Sequence, residues 1–314
     1  MTGINAPVRP GRSHGPHRTR SVDHHSKRAG YLFLTPWMVG LVGFTVGPFL
    51  FSLALSFTDF DLFRDPHWIG ADNYIRMFTS DPRFITALVV TLTYVMISVP
   101  MSMVLGLLVA LAVARTDKSS VVYRALFYVP SLLGGSVAVA LLWRQVFGAD
   151  GLVNAALSLV GISGPSWISD PDYSIWSLIA LNAWQFGIPM VLFIAGIKQI
   201  PGELYEAAKV DGAGAVRRFF SITLPMLTPV TLLVLIFQTI NAFQAFTQAF
   251  IISGGTGGPS DSTLFYTLYI YQEAFSHFRM GYASALAWVL MTMTAVVSAV
   301  IFATSRWWVH YAND

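Results

Sequence analysis

Cysteine is absent from the 314 residues, which excludes disulfides, thiolate metal sites and cysteine nucleophiles. Charge is scarce as well: Asp, Glu, Lys and Arg make up 11% of the chain, against about 25% in soluble domains. With 54% hydrophobic residues, that imbalance says membrane. The net charge of +3 is too small to argue for nucleic acid. No Gly-x-x-x-x-Gly-Lys-Ser/Thr occurs, and Asp117-Lys118-Ser119 lacks the glycines whose amides cradle a phosphate. The long apolar runs also contain no Asp, Glu, Lys, Arg or His. Proton-driven carriers normally keep an ionisable relay at membrane depth, so such a carrier is disfavoured, whereas sodium coupling through carbonyls and amides stays open.

Six apolar runs are each long enough for the roughly 20 residues a bilayer crossing needs. They lie near Tyr31 to Phe57, Phe84 to Ala114, Ala125 to Trp143, Ile175 to Gly196, Leu224 to Ile252 and Gly281 to Ser305. An all-α, polytopic fold with six transmembrane helices follows, occupying residues 31–306. Pro48, Pro100, Pro130 and Pro189 lie in or beside these runs and imply kinked helices satisfied by their neighbours. Residues 263–278 are apolar and aromatic but short, with Gln272 and Glu273, and read as an interfacial or re-entrant helix. A seventh span there is the alternative.

Basic residues orient the spans. Arg9, Arg12, Arg18, Arg20, Lys27 and Arg28 crowd the first 30 residues, and Arg115, Lys118, Arg124, Lys198, Lys209, Arg217, Arg218 and Arg306 fall on the same side. The opposite loops hold only Arg64, Arg76, Arg83, Arg144 and Arg279. The positive-inside rule puts both termini and the loop 201–225 in the cytoplasm. Residues 1–30 are too polar to pack and are expected to be a disordered cytoplasmic tail, with 307–314 a short second one. His14, His17, His24 and His25 lack partner ligand types and read as solvated, so no metal site is expected.

Neutral polar groups stand where charge is missing. At 100° per residue Asn241, Gln244 and Gln248 cluster on one face of the fifth run with Gln238 at its edge, between Phe237, Phe243 and Phe246. On the fourth run Asn182 and Gln185 share a face with Pro189, and Trp184 is adjacent. Amides and aromatic rings suit a neutral polyhydroxylated solute. The alternative is that amides glue helices together. Outside the membrane, residues 152–160 form a weakly amphipathic turn in the loop 147–172. The run Gly254, Gly255, Thr256, Gly257, Gly258, Pro259 is either a plain turn or a tip that touches a partner or substrate.

The loop 201–225 is a docking element by its pattern. Glu203 and Glu206 suit the start of a short helix opened by Pro201, with Leu204, Ala207 and Ala208 on one face. Asp211-Gly212 ends it, and a second turn carries Val216, Phe219 and Phe220 opposite Arg217 and Arg218. Glu206-Ala207-Ala208, three residues, Gly212, nine residues, Ile222, one residue, Leu224-Pro225 resembles the EAA loop of the permease subunits of ATP-driven importers. Trp68-Ile69-Gly70, Asn73-Tyr74, Arg124 to Pro130, Trp143, Gly151 with Asn154, and Gly254-Gly255 with Pro259 are similar to the carbohydrate permeases of the maltose and glycerol-phosphate type. Ser56-Phe57-Thr58-Asp59 suits the first of the two permease partners.

The resemblance implies a bacterial inner-membrane importer of a sugar or polyol, not an enzyme. A second permease, an ATPase dimer that holds the ATP and magnesium, and an external solute-binding protein are its implied partners, beside membrane lipid. Glu206 is then expected to pair with a basic ATPase residue, Ala207 and Ala208 to permit close approach, and Gly212 to make the bend. Asp211 caps the second turn or touches the ATPase. The competing reading is a self-contained secondary carrier or channel for a neutral polar solute, which would transport without any ATPase.

Overall fold

A computed structural model describes residues 24–114 and 118–310. The tail before His24, with His14 and His17, and residues 311–314 lie outside the described residues, as do Arg115 and Asp117. Among the described residues the chain is helical, with a lone β-bridge from Thr58 to Trp68. The chain divides into two compact units, Met1–Phe51 and Ser52–Asp314. Helix α1 (His24–Leu41) of the first unit passes through a π-helical turn, Val42–Val46, into α2 (Gly47–Leu55), which runs past the boundary at Phe51, and Tyr31–Leu55 is long enough to span a bilayer. Residues 24–30, expected to belong to the disordered tail, are helical.

The second unit continues with α3 (Asp72–Thr79), α4 (Pro82–Val113), α5 (Lys118–Leu133), α6 (Val137–Val146), α7 (Leu152–Leu159), α8 (Pro171–Trp184) and α9 (Gly187–Gln199). The short helices of the loop 201–225, α10 (Gly202–Val210), α11 (Ala215–Arg218) and α12 (Leu224–Met226), follow, then α13 (Thr228–Phe243), α14 (Thr247–Ser253), α15 (Tyr266–Tyr271) and α16 (Met280–Ser305). Spans run over Pro82–Val113, Pro171–Gln199, Thr228–Ser253 and Met280–Ser305, while α5 and α6 pass the same test only as a pair bent by 100°. The expected six spans are thus five plus one broken span.

Helix α4 is the hub. Asp81 caps it by accepting the Phe84 N–H at 3.1 Å, and Pro82 supplies a preset first turn. Its buried face repeats small residues, Ala87, Thr91, Ser98, Ser102, Gly106 and Ala110, most of them at steps of four. Helices packed in lipid gain little from apolar burial and rely on such close approach. A Cβ on Gly106 would sit 2.6 Å from Pro189 Cβ. At the far end Arg124 Nε donates to the Val113 carbonyl at 2.8 Å, closing one open C-terminal acceptor of α4.

Two apolar clusters follow from this packing. One, around Ala110, Val113, Met190, Phe193, Ile194 and Val234, joins α4, α9 and α13. The other contains Leu264, Phe265, Tyr266, Leu268 and Tyr269, each at most 2% exposed. Within the stretch 263–278, expected to be an interfacial or re-entrant helix, residues 263–274 pack into the core while 275–278 are exposed. Glu273, at 2% exposure, is paired at 2.9 Å with His277 and at 3.2 Å with Arg279, which removes the cost of its burial as a lone charge.

Candidate coupling loop and membrane cavity

Three spans break at one level. The α5–α6 corner is Gly134-Gly135-Ser136, where the Ser136 hydroxyl accepts the Val139 N–H at 3.3 Å and so opens α6. The α8–α9 break falls at Gln185-Phe186, and the α13–α14 break at residues 244–246. Each break leaves carbonyls without helical partners, which is tolerated at membrane depth only where protein or a polar cavity answers them. They are answered by side chains from the neighbouring break. Gln185 Nε2 at 3.2 Å and Gln248 Nε2 at 2.9 Å both donate to the Gly134 carbonyl, and the Ser131 hydroxyl donates to the Gln185 carbonyl at 2.8 Å. A Cβ on Gly134 would stand 2.1 Å from the Gln185 carboxamide, so any larger residue there displaces that side chain from its bond to the corner.

Between the breaks lies a cavity of about 350 Å³. Asn182, Gln185, Gln238, Asn241, Gln244 and Gln248 line it with Tyr94, Ser131, Phe246 and Thr247, and no lining residue is ionised at neutral pH. The amides predicted to share a face do converge, although the fifth span is interrupted between Phe243 and Thr247. Glue and lining are both present. Gln185 and Gln248 hold the corner, and Gln238 Nε2 donates to Ser102 Oγ at 2.9 Å. Asn182, by contrast, keeps Oδ1 buried with no hydrogen-bond partner among the described residues. An orphan acceptor of this kind costs about 1–3 kcal/mol until a donor reaches it.

Trp184 departs from its expected place. It lies outside the cavity, with its ring centroid 5.6 Å from that of Trp143. Of the three phenylalanines on the fifth span only Phe246 is in the wall, since Phe243 is buried in the core and Phe237 is half-exposed. Tyr94, Ser131 and Thr247 were missed because single hydroxyls in apolar helices are common.

The loop 201–225 is built differently. Helix α10 ends in a Schellman turn: the Ala213 N–H bonds to the Ala208 carbonyl at 2.8 Å and the Gly212 N–H to the Lys209 carbonyl at 3.0 Å. Gly212 takes φ +75° with open space around it, so backbone conformation and not crowding requires glycine. Asp211 is the C-cap of α10, and Gly214 holds the N-cap of α11, which corrects the expectation that Asp211 caps the second turn. A π-helical turn, Phe219–Thr223, joins α11 to α12. The Tyr205 and Thr223 hydroxyls meet at 2.9 Å and pin the two halves together. Glu203, Glu206, Ala207, Asp211 and Gly212 are exposed, while Ala208, Ile222, Leu224 and Pro225 are half-buried.

At the other end of the spans the glycine run is tied down. The Gly257 carbonyl accepts from the Thr263 N–H at 2.8 Å and its hydroxyl at 2.9 Å, and the Gly255 carbonyl accepts from Gln272 Nε2 at 2.8 Å. Gly254 and Gly258 also have positive φ, and Pro259 opens a short 3₁₀ turn. Asp261 forms a bidentate pair with Arg83, with Nε–Oδ2 2.9 Å and NH2–Oδ1 2.8 Å. Beside it the Asp81 carboxylate accepts from the phenols of Tyr269 and Tyr282. Burial pushes its pKa up, but the two phenols and the Phe84 and Arg83 N–H groups outweigh that and hold it below the usual aspartate range.

Residues 77–311 match the family described as the binding-protein-dependent transport system inner membrane component. The chain belongs to this family. It is a multi-pass inner-membrane transport component and not an enzyme. It is 50% identical over 286 residues to a probable ABC transporter permease, YesP, of Bacillus subtilis (strain 168), covering 91% of this chain and 93% of that relative. It is 32% identical to the lactose transport system permease LacF of Rhizobium radiobacter, covering 88% and 94%. The fold matches that of a bacterial ABC transporter involved in import of the acidic polysaccharide alginate, with a TM-score of 0.73, 23% identity and coverage of 90% and 96%. Membership of this family removes the support for a self-contained carrier.

Proposed function

We propose that this permease passes a neutral sugar or polyol through the cavity between the three broken spans. The charge-free, amide-lined chamber carries that reading, because its carboxamides can bond hydroxyl groups and none of its lining residues supplies a counter-charge for an anion. Relatives named for lactose, for arabinooligosaccharides and for trehalose/maltose support it. The exposed Glu206 face of α10 is the docking element for a separate ATPase, which supplies ATP and magnesium. A second permease and an external solute-binding protein complete the importer. Solved relatives include an alginate transporter in complex with a periplasmic protein carrying alginate pentasaccharide. Both termini are cytoplasmic in this arrangement, and closure of the ATPase pair moves α10 and, through the Tyr205–Thr223 contact, the fifth span.

Purification of the tagged chain in mild detergent tests the assembly. Co-purification of an ATPase and a second permease, both lost in Glu206→Lys with insertion intact, is the expected result. A lone chain that transports after reconstitution without ATP would refute it.

A further inference from the structure

Helix α7 is inside out. Leu152, Ala155, Ala156 and Leu159 all fall within an arc of about 100° at 100° per residue. Leu159 is 87% exposed and Leu152 71%, with Ala155 and Ala156 open between them. The one amide of the helix points the other way. Asn154 Nδ2 donates to the Ala149 carbonyl at 2.9 Å and the Pro165 carbonyl at 3.1 Å, and its Oδ1 accepts from Trp167 Nε1 at 2.7 Å. Val160, 71% exposed, and Ile162, 53%, extend the apolar face beyond the helix. No Asp, Glu, Lys, Arg or His occurs from Gly151 to Ser169. Water does not favour such a face, and it offers a protein partner neither charge nor amide to recognise.

Two neighbours say what covers it. The preceding helix α6 exposes Val137, Leu141 and Leu142, so the apolar face of α7 continues the lipid-facing surface of a broken span. Against its polar side runs a chain of rings, Trp184–Trp143–Phe147–Trp167–Tyr173, with successive centroids 5.6, 5.0, 6.2 and 5.7 Å apart. Tryptophan and tyrosine gather at the level of lipid headgroups. A helix of eight residues is only about 12 Å long and cannot cross. We infer that α7 lies in the plane of the membrane surface, its Leu152/Leu159 face sunk among the lipid acyl chains and its Asn154 side bolted to the Trp167 loop. The helix thereby anchors the α6 end of the broken span at a set depth. The inference needs the membrane-spanning fold but neither the proposed substrate nor the proposed orientation.

The absence of native cysteine makes the test direct. L159C, L152C and R64C, the last at a side chain 80% exposed, are each labelled with an environment-sensitive fluorophore in the intact chain with its co-purifying subunits, in lipid nanodiscs. The expected result is blue-shifted emission at 159 and 152, quenched several-fold more than at 64 by lipids carrying a nitroxide near the ester carbonyl. Quenching by iodide equal to that of R64C would place the helix in water and overturn the inference. Blue emission that ignores the nitroxide lipids would mean a protein covers the face, and overturns it equally. Two label positions guard against one perturbing label.

Discussion

The membrane cavity and the loop 201–225 solve opposite problems. At the cavity, broken helices leave backbone carbonyls open, and the chain answers two of them itself: Gln185 and Gln248 bond to the Gly134 carbonyl, and Ser131 bonds to that of Gln185. In the loop the bend is closed by its Schellman turn, yet Leu204, Val210, Val216 and Phe220 are left exposed. One region is a closed polar network around a small void; the other is a finished backbone with an unfinished surface. The difference fits the two proposed roles: a void walled by neutral carboxamides for the solute, and bare apolar side chains on a closed bend for another protein.

Several changes would break that comparison. The largest effect is expected for Glu206→Lys, which should abolish coupled uptake while membrane insertion, followed by protease protection, stays normal; unchanged uptake would remove α10 from the coupling path. Next is Gly134→Val. A side chain there displaces the Gln185 carboxamide from Gly134 and into the cavity, and uptake should fall about tenfold with the assembled complex still recoverable on gel filtration. Wild-type flux in that variant would show that the corner does not shape the path.

Two amides sharpen the division between glue and lining. Gln248→Ala removes a bond to Gly134 and should cost about 1 kcal/mol of stability along with flux. Gln244→Ala should lower flux with the melting temperature unchanged; equal losses of stability in both would assign the whole stripe to glue. The smallest effect belongs to Asp81. Its folded pKa lies below its unfolded value, so its stabilising contribution is complete above the ordinary aspartate pKa of about 4 and disappears as pH falls through the lower folded value. Asp81→Asn should flatten the acid limb of a melting-temperature profile, and an unaltered limb would dismiss the Tyr269–Tyr282 clasp as a source of stability.

Legibility tracked sequence distance. The loop 201–225 was readable because its pattern is local: a carboxylate at a helix start, small residues on one face, and a glycine where φ must be positive. Asn241, Gln244 and Gln248 were readable from helical period, although they converge across a break at residues 244–246 that the period does not reveal. Trp184 was misplaced because adjacency to Asn182 and Gln185 says nothing about which face packs on Trp143. The burial of Glu273 within 263–278 was not readable, because its pairing with His277 and Arg279 depends on how the helix end turns.

The amino-acid sequence by itself determined the lipid setting, the spans and the bend at 211–214, since apolar run length, charge placement and local helix termini are properties of contiguous residues. Only the tertiary structure decided that the breaks of three spans meet and that Gly134 is their shared acceptor. Those facts depend on partners between 51 and 114 positions apart along the chain, and such pairings arise only when the helices have packed.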